Sequence, residues 1–388
     1  MANLFDYLAG HGHLDFAETP LNPVDNLILA WLSYTDYQGI VPALGAPGSI
    51  AIADAVERFF KNHASFDKGG LLASLNPMLT SARVLHKTAE TRRFGPVHLS
   101  CFVDRLDFER ETQFAAVTML IGEDLAYVSF RGTDHSLVGW KEDFYMSFMP
   151  SVPAQKEALA YLEAVAAHFP RRRLYVGGHS KGGNLAVYAS VACAPEIQDR
   201  ILTVYNNDGP GFQDEALLAS DAYRRMLDRI ETIVPQSSVV GMLLGHPGRY
   251  RIIKSAQMGL LQHNALNWEV RGAEFVPEPS VTRFSALMSL TLKEWLRELN
   301  EGQLREFVDT LFSALDATGA KTLEELTTRK LKLATGLFET MRTLDAETRR
   351  MLLTMLRMLS QARRDARRKL RDAEMSVTPP EQEDCRGG

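Results

Sequence analysis

The sequence predicts an α/β fold, a mostly parallel sheet with helices on both faces, followed by a helical C-terminal region. Three observations predict it. Strand-like runs alternate with amphipathic helical patterns from about residue 97 to 254. A glycine-rich strand-to-helix junction, 177–183, lies in the middle of that stretch. From about Ser280, proline and glycine become scarce and Leu, Met, Glu, Lys and Arg dominate through Ala373.

Taken in order, residues 1–95 read mainly as helix and loop, with apolar residues at helical spacing over Val24–Tyr34 and Ser49–Phe60. Strands begin near Val97–Val103. The runs Phe114–Ile121 and Leu125–Phe130, joined by a Gly-Glu-Asp turn, form a hairpin. The period then changes. Val152–Phe169 is an amphipathic helix with Leu159, Leu162, Val165 and Phe169 along one face. Strands are expected at 174–176, 201–205, 230–234 and 250–254, with helices at 183–193 and 214–227 between them. Three or four helices follow, with a breaker at Gly319 and a new start near Leu344. This divides the chain into an N-terminal helical part of the core domain (1–95), the α/β core (96–278), a helical region (279–375) and a disordered tail (376–388).

Composition narrows the function classes. With 388 residues, 45% of them hydrophobic and 23% charged, the chain has the balance of a globular protein with a large core. A formal charge of −5 gives no reason to expect a nucleic-acid partner. The three cysteines, Cys101, Cys193 and Cys385, are widely spaced and match no metal or disulfide pattern. No signal-like segment or apolar run of spanning length is seen, so a cytoplasmic location is expected.

The chemistry is concentrated in Gly178-His-Ser180-Lys-Gly182, a Gly-x-Ser-x-Gly elbow between a strand and a helix. A nucleophile on so sharp a turn leaves no room for flanking side chains, hence Gly178 and Gly182; Gly183 lets the helix pack closely. The helix N-terminus aims its free N–H groups at Ser180. This is the nucleophile arrangement of the α/β-hydrolase fold. Two donors are needed for an oxyanion. The Lys181 N–H supplies one, and its side chain is read as solvated. Thr133, in the loop Arg131-Gly-Thr-Asp134 after a strand, is expected to supply the second by N–H and hydroxyl, with an ordinary strand-end turn and an Arg131 ion pair as the plainer reading.

Phe130-Arg-Gly-Thr-Asp, Gly178-His-Ser-Lys-Gly-Gly-Asn-Leu-Ala and Asn207-Asp-Gly-Pro-Gly-Phe212 together resemble the Mbeg1-like family, hydrolase-like proteins similar to class 3 (fungal-type) lipases. The segments beginning at Ile233 and Lys254 fit the same resemblance, which extends over about residues 20–275. It implies a lipid or other carboxylic ester as substrate and no metal or organic cofactor. It also implies that Asp143 caps or pairs beneath the oxyanion loop.

The α/β-hydrolase order is serine, acid, histidine. Apart from His179 in the elbow, only His246 and His263 follow Ser180 with a strand between. His263, after the last core strand, is preferred as the base; His246 lies in a Gly-His-Pro-Gly turn. The acid is open. Ser238 stands where class 3 lipases carry aspartate, so either the triad is incomplete or Asp208, at the preceding strand end, replaces it. Asp208 as a cap of its Gly-Pro-Gly turn is the plainer alternative.

The expected activity is therefore ester hydrolysis through Ser180, His263 and Asp208, with an inactive binding scaffold as the alternative. A lid is expected from either the N-terminal or the C-terminal helices. The basic end of the last helix, Arg363, Arg364, Arg367, Arg368, Lys369 and Arg371, reads as a solvated face, with peripheral attraction to an anionic membrane as the second reading. The stretch Met351–Leu359 reads as helix-packing core, and the C-terminal helices offer a surface for a protein partner.

Overall fold

A computed structural model of the chain describes residues 1–63, 77–107, 112–134, 137–146, 148–149, 151–244, 250–257, 259–316 and 346–377. The N-terminal part holds helices α1 (Leu4–His11), α2 (Pro23–Leu32), α3 (Ile52–Asn62) and α4 (Pro77–Ala89), with the two-residue strand β1 (Ile50–Ala51) before α3. Strands β2 (His98–Asp107), β3 (Thr112–Ile121) and β4 (Leu125–Phe130) follow. Next come α5 (Leu137–Met146), α6 (Pro153–His168), β5 (Arg173–His179), α7 (Lys181–Ala192), α8 (Pro195–Gln198) and β6 (Ile201–Asn207). The core ends with α9 (Glu215–Ala219), α10 (Asp221–Met226), β7 (Ile230–Pro235), β8 (Tyr250–Ile253) and a small hairpin of β9 (Val270–Arg271) and β10 (Glu274–Phe275). Three C-terminal helices are described: α11 (Arg283–Arg297), α12 (Glu301–Asp316) and α13 (Ala346–Val377).

Strands β1 to β8 form one sheet in sequence order. β1 to β4 pair antiparallel, and β4 to β8 are parallel to one another. This is an α/β-hydrolase fold. Period-2 alternation divides the side chains between two cores. Ala126, Val128, Phe130, Leu174, Val176 and Val204 face α6, α7 and the C-terminal helices, whose Trp295, Leu304, Val308, Phe312 and Ala362 complete that cluster. Tyr127 and Tyr205 face the other way, toward α1 to α4, Trp268 and Phe275.

Helix α2 is buried on every side, its apolar residues from Leu27 to Leu32 and the polar Asp25 and Asn26 alike. Asn22 caps it by accepting from the N–H groups of Val24 and Asp25, with Pro23 in the first turn. The expected helix over 214–227 is broken at Ser220, whose extended backbone and hydroxyl cap α10 through the Tyr223 N–H at 3.1 Å. Among the described residues no helix is long and apolar enough to cross a membrane. Cys101 and Cys193 are free and buried. His246, Gly319, Leu344, Cys385 and the tail beyond Val377 lie outside the described residues. Of the Met351–Leu359 stretch, Met358 and Leu359 pack on the core while Leu353 is exposed.

Candidate active site

Strand β5 runs directly into α7, and Ser180 is the residue at the corner, with φ 59° and ψ −133°. A serine in that region is strained, and the surroundings enforce it. Its N–H donates to the Asn207 carbonyl at 2.9 Å, and its own carbonyl accepts from Gly183 at 2.9 Å. A Cβ on Gly182 would lie 2.1 Å from the Phe130 carbonyl oxygen, and one on Gly178 2.5 Å from the same atom. The elbow glycines thus let β4, β5 and α7 converge. Gly132 is equally constrained, because a Cβ there would meet the Tyr34 hydroxyl at 2.2 Å and Ser180 Cβ at 3.0 Å.

His263 ends a short 3-10 turn, Gly259–His263, beyond β8. Gln262, which is buried, anchors that turn: its Oε1 accepts from the Ser237 N–H at 2.6 Å and its carbonyl from Trp268 Nε1 at 2.9 Å. The Nδ1 of His263 lies 2.7 Å from Oδ2 of Asp208. A carboxylate only accepts, so Nδ1 carries the proton and Nε2 of the neutral ring is a free base.

Asp208 is fully buried at the end of β6, with positive φ of 55°. Its N–H donates to the Ile233 carbonyl at 2.8 Å. Its second oxygen, Oδ1, accepts a short hydrogen bond from the Ser238 hydroxyl, which in turn accepts from the Gly241 N–H at 3.0 Å. Ser238, in the loop after β7, thus holds the carboxylate at the end of the neighbouring β6.

Thr133 lies in the loop between β4 and α5, and its Oγ1 donates to Asp143 Oδ2 at 2.6 Å. That commits the hydroxyl proton to Asp143, so the backbone N–H is the donor Thr133 can offer a ligand. The pairing of Asp143 beneath this loop agrees with the resemblance. Burial pushes the Asp143 carboxyl up to about 6, against the opposing Lys181 charge and Thr133 hydrogen bond. Arg131 makes a two-pronged bridge to Asp104, both contacts at 2.7 Å.

Lys181 corrects the sequence reading. Its side chain is not solvated but 1% exposed, because the first turn of α7 packs beneath the sheet and directs position 181 toward β3 and α5. The ammonium donates to Gln113 O at 2.9 Å, Gln113 Oε1 at 3.0 Å and Glu142 Oε2 at 2.9 Å. Glu142 also accepts from the N–H groups of Gln113 and Ala154, each at 3.2 Å, so neither buried charge lacks a partner. The Lys181 N–H belongs to the first turn of α7, whose N–H groups have no intrahelical acceptor.

Three residues not singled out by sequence complete the site. His179 is buried, with Nε2 2.7 Å from the His263 carbonyl oxygen and Nδ1 3.0 Å from the Tyr34 hydroxyl. Because a carbonyl only accepts, Nε2 is the protonated nitrogen and Nδ1 accepts from Tyr34. Burial, and repulsion from His263 whenever that ring is protonated, hold its pKa well below the usual histidine value, so the ring stays neutral. It stands between Trp31 at 5.0 Å and His263 at 4.6 Å, centroid to centroid. Asn26 of α2 donates to Asn207 Oδ1 at 2.9 Å, and Asn207 Nδ2 donates to the Gly178 carbonyl at 3.0 Å. The one signal in the sequence was a polar pair, Asp25 and Asn26, at the start of an otherwise apolar helix.

Among solved structures, the chain is similar to a fungal lipase–inhibitor complex, at 16% identity and TM-score 0.34, over 44% of this chain and 69% of that one. It is similar to a native Rhizomucor miehei lipase–propeptide complex at 18% identity and TM-score 0.31, over 44% and 58% of the two chains. Similarity to a variant of MDLA from Penicillium cyclopium reaches 14% identity and TM-score 0.34, over 66% and 87%. No curated protein matches the sequence significantly. The Mbeg1-like family profile matches residues 88–313, from the end of α4 through β2 to β10 and into α12. The chain belongs to the Mbeg1-like family.

Proposed function

We propose that this protein is a serine hydrolase that cleaves carboxylic esters, with lipid esters as the substrate class, through Ser180, His263 and Asp208. The observation that carries the reading is the 2.7 Å contact of His263 Nδ1 with a buried Asp208, on the same sheet edge as a serine held at positive φ. Ser180 Oγ attacks the ester carbonyl as His263 Nε2 takes its proton. Asp208 keeps the imidazole in the required tautomer and stabilises the imidazolium. The N–H groups of Lys181 and Thr133 receive the developing oxyanion. His263 then protonates the leaving alcohol, and water, deprotonated by the same nitrogen, releases the acid from the acyl-enzyme.

Against an incomplete triad, suggested by the serine at position 238, stands the hydrogen bond between His263 and Asp208. The test is labelling with a fluorophosphonate, comparing the protein with its Ser180→Ala variant. Labelling of the first and not the second is the expected outcome. Absence of labelling in the folded protein, with the probe also tried in detergent to open any cover, would favour the scaffold without turnover.

A further inference from the structure

A cavity of about 580 Å³ opens between α11 and α13, lined by Arg283, Arg364, Arg367, Arg368 and Arg371 together with Phe284, Leu287 and Leu370. Its chemistry follows from helix geometry. Positions 364, 367, 368 and 371 fall at i, i+3, i+4 and i+7, one face of α13. Ala362 and Ala366, both buried, let that helix lie close to α11, so the arginines stand beside the seam. The concentration of charge is local: the chain as a whole is at −5, whereas residues 363–371 hold six basic residues and one acid, Asp365.

Two nearby acids are taken by other members of the basic run. Asp365 pairs with Arg368 at 3.0 Å, and Glu294 is taken by Lys369 at 2.9 Å. Among the described residues Arg364 donates to neutral groups, Gln361 Oε1 at 2.6 Å and Ser360 Oγ at 3.0 Å. Arg367 has no carboxylate partner among the described residues. Arginine presents a planar fork of donors matched to phosphate oxygens, and Arg364 and Arg367, one turn apart on one cavity wall, suit an anion of that kind.

The apolar neighbours decide which anion-bearing partner fits. Phe284, on the cavity wall, is 49% exposed, and Leu261, two residues before His263, is 47% exposed. The two lie on either side of one loop residue, Ser237. Its N–H binds Gln262 at 2.6 Å and its hydroxyl meets Thr282 Oγ1 at 2.9 Å. Large apolar side chains next to clustered arginines match a bilayer surface, where the former enter the acyl boundary and the latter meet headgroups.

We propose that the α11–α13 cavity docks the protein on an anionic lipid bilayer, with Arg364 and Arg367 receiving headgroup phosphates and Phe284 anchoring the apolar side. Docking requires no turnover, so Ser180→Ala should bind as the unaltered protein does, and docking and hydrolysis are read separately.

The test uses the full chain with vesicles of phosphatidylcholine alone or with about one-third phosphatidylglycerol. Binding is expected only to the second, rising with anionic fraction and falling with salt as surface charges are screened. Arg364→Gln with Arg367→Gln should weaken it by roughly fivefold per arginine, about 25-fold together. Arg58→Gln, the same loss of charge on exposed α3, should leave it unchanged. Equal binding to both vesicles overturns the proposal, as does an unaffected double variant. Displacement by inorganic phosphate at constant ionic strength would mark a soluble-phosphate site, and stronger binding to double-stranded DNA a nucleic-acid surface; either also overturns it. Should the double variant not fold, the salt and lipid-charge titrations of the unaltered protein decide alone.

Discussion

The two helical covers of the sheet hold the same site by different means. The N-terminal cover reaches it through buried polar contacts, Asn26 to Asn207 and Tyr34 to His179, and is itself tied together by the Arg93–Asp25 pair, of which neither side chain is more than 1% exposed. The C-terminal cover touches it from outside. Ser285 donates to the Ser238 carbonyl, Ser289 to the Met242 carbonyl at 2.8 Å, and Lys141 of α5 pairs with Asp309 at 2.8 Å. A buried charge that loses its partner has few alternatives, whereas the half-exposed Asp309 can turn to water. The N-terminal helices thus meet the candidate site through buried polar side chains, and the C-terminal helices meet the sheet chiefly through apolar packing.

The largest effect expected from this contrast is on stability. Arg93 Nε donates to Asp25 at 2.8 Å, and its other nitrogens serve the carbonyls of Leu14, Asp15, Thr19 and Pro20. Arg93→Met strands a buried carboxylate and should cost about 3–5 kcal/mol in urea unfolding. Lys369→Met breaks a bridge whose lysine is 54% exposed, and should cost no more than about 1 kcal/mol. Equal losses would erase the distinction between the covers.

Next in size is the effect of His179 on turnover. Its ring donates to the His263 carbonyl from a position fixed by Tyr34 of the N-terminal cover. His179→Phe keeps an aromatic ring between Trp31 and His263 but removes the donor. For an ester turned over through Ser180, kcat should fall about 10²-fold, near 2.7 kcal/mol, with KM little changed. His179→Gln, which restores an N–H, should recover part of the loss. An unchanged kcat in His179→Phe would reduce the residue to core filling.

How much of this was legible in the sequence varies with the range of the contact. The elbow was legible because its glycines and serine are local, and β4 to β8 because their alternation is. Asp208 could be named from strand order, but Ser238 as its support could not, since those residues meet across 30 positions of chain. Lys181 reads as a surface lysine until Glu142 and Gln113 are placed around it. The two-residue strands β1, β9 and β10 exist only through their partners. Helix α5 escaped because its sequence, Leu137-Val-Gly-Trp-Lys-Glu-Asp-Phe-Tyr-Met, has little amphipathic pattern.

The smallest effect is a slope of stability with pH, and it arises where the C-terminal cover meets the site. Helix α5 carries Asp143, and α12 packs on α5 through Tyr145–Asp309 and a Phe144–Phe312 contact at 5.8 Å. Burial raises the Asp143 pKa from 3.8 to about 6, so between those values the folded state holds more protons than the unfolded one. Stability from this group is fully present below the unfolded pKa and is lost as pH rises through the folded pKa. The slope cannot exceed about 1.4 kcal/mol per pH unit, the contribution of one proton. Asp143→Asn keeps an acceptor for the Thr133 hydroxyl but does not titrate, so the difference in urea midpoint between the two proteins should change from pH 4 to 6 and level off above. A constant difference across that range would show that water already reaches Asp143, and that α5 and α12 do not seal the oxyanion loop from solvent.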